Sequence, residues 1–411
     1  VSANDNSDQR PKLRAIQAQP AIARGQRILL LQDPLRLSET SVFMPQAIAP
    51  LLAFCDGTRT LDELRASLMV RAGVQLSSTD VARVIAKLDG ALLLDNPRSR
   101  AAKQEALAVY RSAPARPPAL AGRGYPDEPG ELRAMLDSYV APVRNGRRPV
   151  TGPYRGLVSP HIDYDRGGPV YAEVWNRAAE AVRAADVALI LGTDHNGGAG
   201  TVTPTRQSYA TPYGVLPTDQ AAVDALVDAL GEEAAFDEEL HHRGEHSIEL
   251  AAVWLHHMRG GRPCRLVPVL TGSFYGFVHG EQGAPAQDPA LGRAVAALRS
   301  ALAGRQALVV AAGDLAHIGP AFEGQPVDFL RKARLEVQDR ALIETLCRGD
   351  AEGFFEMIRA EDDRRNVCGL PPIYLALKVL GDVRGEPAGY DRRPADMNGT
   401  SFVSICGVVW A

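Results

Sequence analysis

At 411 residues, with 45% hydrophobic and 23% charged side chains, the chain is long enough for two or three cores and has the composition of a globular protein. Its net charge of −4 supplies no basic field, which argues against nucleic acid and anionic membrane surfaces as partners. Five scattered cysteines without a CxxC argue against a disulfide scaffold and fit a reducing compartment.

The opening VSANDNSDQRPKLR lacks the apolar region of a signal peptide. No apolar run reaches the ~20 residues of a membrane helix. The expected location is therefore the cytoplasm, with no membrane partner. Residues 1–26 are polar and without periodicity, and read as a disordered tail. From residue 27 to 97 the sequence predicts a small winged-helix-like domain. ILLLQDP and VFMP read as strands, AIAPLLAF as a helix, and Asp56-Gly57 as a turn. Thr60 and Glu63 form a capping box ahead of Leu61, Leu64 and Leu68, and a second helix starts near SSTD with Val81, Val84, Ile85 and Leu88 on one face. ALLLDN closes the unit as a strand or wing. This part resembles the PqqD-like family in DPLRLSETSVFMP, DGTRTLDEL and VARVIAKLDGALLL, which implies a module that binds a peptide or a partner protein.

A charged helical stretch and the run PARPPALAGRGYPDEPG place a linker over residues 98–118. Residues 119–411 then alternate strand-like and helical runs, the α/β pattern. Strands are expected at YRGLVSP, VALILGT, RLVPVLTG, ALVVAAGD and FVSICGVVW. Helices are expected at VYAEVWNRAAEAVRAA, QAAVDALVDALG, SIELAAVWLHHM, LGRAVAALRSALA and VDFLRKARLEVQDRALIETL. Strands so uniformly apolar are covered on both faces, so the expected core is a largely parallel or mixed sheet between helices.

Three of the nine histidines close separate apolar strands. YRGLVSP runs into His161, with Asp163 and Asp165 behind it; VALILGT into Asp194 and His195; ALVVAAG into Asp314, with His317 three residues on. Ligands in open α/β sheets bind at the carboxyl ends of strands, so these groups are expected to converge. Two chemistries fit. Imidazoles hold metals while carboxylates fix their tautomers, and His-Asp pairs also serve as base and orienter for a nucleophile. In LHHRGEHSIEL, His242 and His246 are spaced for one helical face, but Gly244 intervenes; His246 and Glu249 fit better as a first helical turn reaching the pocket. His256 and His257 are expected to be solvated at a helix end, and His279 lies in a polar loop. Cys368, beside Arg364 and Arg365 in DDRRNVCGLPPIY, is either a small buried hydrophobe or a thiol of lowered pKa.

SPHIDYDRGG, LILGTDHNG, GEHSIEL, LVPVLTG, GDLAHIG and NVCGLPPI, in that order and opened by AGRGYPDEPGELRAML, resemble the Memo family over residues 119–411. That family is related in fold to class III (LigB-type) extradiol dioxygenases, and its bacterial members are labelled AmmeMemoRadiSam system protein B. The resemblance implies a metal held by His161, His195 and Cys368, with iron expected and copper or zinc as alternatives. Asp314, His317 and His246 are then the candidate catalytic residues. It also implies a radical S-adenosylmethionine enzyme and an AMME-candidate-region protein as partners, and a small molecule or peptide as substrate. The leading expectation is an iron-dependent oxidoreductase. The alternatives are a non-catalytic accessory module, and a hydrolase using Cys368 as nucleophile with His195 or His317 as base. No GxSxG elbow or Walker A loop is present.

Overall fold

The computed structural model describes residues 9–146 and 152–411, and its contacts divide the chain into two units, 1–112 and 113–411. In the first unit, β1 (Gln17–Ala23), β2 (Gln26–Gln32) and β3 (Val42–Pro45) form an antiparallel sheet in that order. Strand β1 corrects the expectation of a disordered tail through residue 26. Its side chains stay mostly exposed, so no apolar pattern marks it, and pairing with β2 supplies its backbone bonds. The helix Leu61–Ala72 starts with the expected capping box of Thr60 and Glu63, and the helix Ser78–Gly90 buries Val81, Ile85 and Leu88. These pack with Leu31, Met44, Leu64 and Leu68 into one core. ALLLDN is not a strand; Leu94 makes only an isolated bridge to Leu13. Most of the expected linker is also ordered, as a helix over Pro97–Ser112. Its mainly polar surface reads as linker, while Leu107 and Tyr110 are its buried apolar contacts.

In the second unit the sheet is built from β4 (Gly156–Ser159), β5 (Val187–Thr193), β6 (Val202–Pro204), β9 (Arg265–Thr271), β10 (Ala307–Ala312), β11 (His317–Ile318), β12 (Gly385–Pro394) and β13 (Phe402–Trp410), with a separate ribbon of β7 (Tyr209–Thr211) and β8 (Gly214–Leu216). The order is β11-β13-β4-β10-β5-β9-β6, with β12 on β13. β4, β10, β5 and β9 are parallel; β6 and β11–β13 run antiparallel to their neighbours. The sheet is thus mixed.

Alternating side chains of β5 feed two cores: Val187, Leu189 and Leu191 on one face, Ala188 and Ile190 on the other. The helices Gln220–Leu230, Pro289–Leu302 and Leu370–Leu380 cover the first face, and Tyr164–Arg177 and Ser247–Met258 the second. With both faces of the parallel strands closed, only their ends remain open for a polar site. No helix among the described residues is long and apolar enough to cross a membrane.

Candidate metal centre

β4, β10 and β5 run parallel and end together, so the residues just past them meet at one edge. His161 follows β4. Its backbone N–H donates to Asp314 Oδ1 (2.9 Å), which ties the ends of β4 and β10 together. Its Nδ1 faces the Ala312 carbonyl at 3.1 Å, and its Nε2 lies 3.3 Å from Cys368 Sγ. A ring that donates through Nδ1 to a carbonyl presents Nε2 as its ligating nitrogen.

His195 follows β5, and His246 immediately precedes the helix Ser247–Met258. Buried Glu245 holds both. Its Oε2 takes the His195 backbone N–H (3.1 Å) and Nδ1 (2.9 Å), while its Oε1 takes the backbone N–H groups of His246 (2.7 Å) and Ser247 (3.0 Å) and sits 3.0 Å from His246 Nδ1. The two rings consequently stack, with centroids 5.0 Å apart and 12° between planes. One ring nitrogen from each of His161, His195 and His246 lies within 4.8 Å of the others. Two metal–nitrogen bonds of ~2.1 Å span ~4.2 Å end to end, so closing on an ion requires only small side-chain movements.

Cys368 is delivered by a braced segment. The Arg365 guanidinium is buried against Asp339 (2.8 Å) and Glu361 (2.8 Å), and Tyr390 donates to the other Asp339 oxygen. Thr193 Oγ1 donates to the Cys368 carbonyl, and Gly369 N–H to the Asp314 carbonyl. A Cβ on Gly313 would stand 2.5 Å from Gly369 Cα, so glycine there permits the close approach that sets the thiol beside the strand ends.

Burial by itself pushes the Cys368 thiol up. The charges of His161 and His317, with hydrogen bonds from His161 and His195, outweigh it and hold the thiol well below its ordinary range. Arg364 and Arg365, the sequence's apparent cause, are committed to Asp362, Asp339 and Glu361 instead. Burial lowers His161, but the Cys368 and Asp314 charges raise it further, to about 9. His195 is likewise lifted by Glu245 and Cys368 against its burial, and Glu245 is held well below the usual carboxylate range by His195 and His246 against its own. Without a metal the cluster is therefore a thiolate and a carboxylate facing imidazolium rings. Two to three imidazoles and a thiolate form a borderline-soft donor set that suits iron, copper or zinc and not calcium or magnesium.

The structure thus brings together His161, His195, Cys368, Asp314 and His246. His317 is near, with Nδ1 3.1 Å from the Asn366 carbonyl. Asp163 caps the helix Tyr164–Arg177 and pairs with Arg166. His242 is buried elsewhere, between Tyr209 Oη (2.6 Å) and the Thr203 carbonyl (2.8 Å). His256 and His257 are buried, not solvated; His256 bonds Thr211 and the Gly261 carbonyl, because β7 and β8 cover that helix end. Glu249 makes a buried pair with Arg116 and accepts from Tyr125. Asp194, whose place beside His195 suggests an orienting carboxylate, bonds His241 Nδ1 (2.7 Å) instead.

Glu245 is the main residue the sequence reading missed, although its place directly before His246 was the available signal. His279, apparently an idle loop residue, lines a cavity of about 250 Å³ that also reaches His195 and Cys368. A larger cavity of about 710 Å³ opens at the amino ends of β4 and β10; two of its three arginines are engaged elsewhere, Arg305 with Asp219 and Arg155 with the Asp382 carbonyl.

The chain is thus a mixed α/β protein with an imidazole–thiol cluster at the carboxyl ends of its parallel strands, and three of those imidazoles could hold a metal ion. The family model described as Memo-like protein matches residues 116–392. A MEMO1 family protein of Methanopyrus kandleri is 31% identical over 287 residues, covering 67% of this chain and 91% of that protein. One from Aquifex aeolicus is 25% identical over 98% of this chain and 100% of its own length, and one from Thermus thermophilus 27% identical over 80% and 92%. This chain belongs to the Memo family.

Proposed function

We propose that the chain is a mononuclear non-haem metal protein with an oxidoreductase role, iron being the metal and His161, His195 and Cys368 its ligands. The observation that carries this reading is the shared orientation of the rings. Each of His161, His195 and His246 has Nδ1 engaged from behind, by the Ala312 carbonyl or by Glu245, one ring nitrogen of each lies within 4.8 Å of the others, and His161 Nε2 lies 3.3 Å from the thiol. His246, expected among the catalytic residues, serves in this reading as a fourth donor. A Cys-His nucleophile would need a single imidazole as base, so three imidazoles with dedicated acceptors favour metal binding over hydrolysis.

When bound, iron supplies Lewis acidity and a one-electron couple. The protein's own residues do the rest. Asp314 fixes the His161 backbone and places its second oxygen 3.9 Å from His161 Nε2. His317, with Nδ1 turned to Asn366, presents Nε2 to accept or donate a proton. Cys368 enters the site already ionised, so the metal need not displace its proton. The test is elemental analysis and electron paramagnetic resonance of anaerobically purified protein. About one iron per chain is expected, falling to near zero in His195→Ala; equal metal in the two proteins would overturn the reading.

A further inference from the structure

The cavity beside Cys368 has two unlike walls. One is apolar, formed by Phe274, Val278, Leu370 and Pro371; the other is polar and carries Asp363 and Asn366 together with Asp194, His195, His279 and Cys368. No lysine or arginine is among its lining residues, and Asp363 makes no direct ion pair among the described residues, although the charges of Arg365 and His317 reach it from nearby. The neighbouring arginines point to other work, Arg364 to Asp362 and Arg365 to Asp339 and Glu361. Asp363 Oδ1 accepts from Val367 N–H at 2.9 Å, whereas Oδ2 has no hydrogen-bond partner among the described residues. Burial pushes this carboxyl up to about 6, against the Val367 hydrogen bond and the charges of Arg365 and His317.

The backbone here is also unusual. Asp362, Asp363 and Asn366 have φ of 53°, 45° and 49°, three of the seven non-glycine residues in the left-handed region among those described. Such conformations persist where surrounding structure enforces them, and they cluster at ligand sites. Here the buried Arg365 clamp and the bonds from Asn366 to His317 hold the segment in place.

We propose that Asp363, supported by Asn366, is the recognition element of this cavity, which takes a small molecule with an apolar body and a protonated amine and rejects anionic analogues. The body packs against Phe274, Val278 and Pro371, and the ammonium donates to Asp363 Oδ2. At about 250 Å³ the cavity lies below the ~300–1,000 Å³ typical of drug-sized ligands, which limits the occupant to a single small ring or short chain. Calling that occupant the substrate rests on the metal-centre reading above; the charge preference does not.

The experiment is calorimetric titration of the full chain, metal-free and iron-loaded, with 2-phenylethylamine and 3-phenylpropionate, which match in shape and differ in charge. The amine is expected to bind more than roughly tenfold tighter in the metal-free protein, as a charge-assisted hydrogen bond implies. Asp363→Asn is expected to bring the two ligands within about twofold, that bond being lost. Asparagine tolerates left-handed backbone and keeps an oxygen for Val367 N–H, so the variant should fold, which a thermal melt checks. Equal or tighter binding of the acid to metal-free protein, no binding of either ligand at millimolar concentration, or an amine preference that survives in Asp363→Asn would each overturn the proposal. If purified protein holds no metal but the preference is present, the metal-centre reading fails and this one stands.

Discussion

Two clusters of histidine and carboxylate lie on either side of the end of β5, and they are built in opposite ways. In the first, Glu245 stands behind His195 and His246 and engages their Nδ1 atoms, and one ring nitrogen of each lies within 4.8 Å of one from His161, whose Nε2 faces Cys368. In the second, Asp194, Glu238 and His241 also bring three potential ligand atoms within 4.8 Å. There, however, the carboxylates are spent. Asp194 accepts from Asn196 N–H and His241 Nδ1, and Glu238 from Gly198 N–H and Thr201 Oγ1. Proximity of ligand types is common to both. What separates the proposed metal site from a structural tie is whether the donors are oriented by other groups or consumed by them.

That contrast can be broken most directly at Glu245. Glu245→Gln removes the charge that holds two imidazoles while keeping the shape of the side chain. Iron affinity, measured by competition with a chelator, is expected to fall ~10–100-fold. An unchanged affinity would mean that the rings orient themselves.

A pH series sharpens the same point. In the metal-free protein His161 is raised to about 9, and His195 is raised as well, so both are imidazolium at neutral pH. Metal must displace those protons, whereas Cys368 is already a thiolate. Affinity is therefore expected to rise with pH up to at least about 9, where His161 has lost its proton. The slope should approach about tenfold per pH unit for each proton displaced, with matching proton release in calorimetry. A flat profile would sink the imidazolium assignment.

The smallest effect belongs to the second cluster. Glu238→Gln should leave iron content and affinity as they are and cost only ~0.5–1.5 kcal/mol of stability, read by denaturant titration. Loss of metal in that variant would show that the tie and the centre are one unit.

Much of this arrangement was legible before folding. The apolar runs ending in His161, His195 and Asp314 mark buried parallel strands, because a strand covered on both faces has no other reading of such length and content. Their common fate at the carboxyl edge follows from the topology of parallel sheets. β11 and β12 escaped notice because short or half-exposed edge strands carry little hydrophobic signal. β1 escaped for the same reason. His256 and His257 were misread because a sequence does not reveal that a distant ribbon will cover a helix end.

By itself, then, the sequence determined the α/β class, the strand ends and the short inventory of groups able to hold a metal, since period, run length and residue chemistry are local properties. Only the tertiary structure decided which carboxylate serves which imidazole. It assigned Glu245 to His195 and left Asp194 to His241, and it lowered the Cys368 thiol with histidines that lie far off along the chain. Hydrogen bonds and Coulomb energies depend on distances of a few ångströms, and for residues separated by 47 to 207 positions the packed fold alone sets those distances.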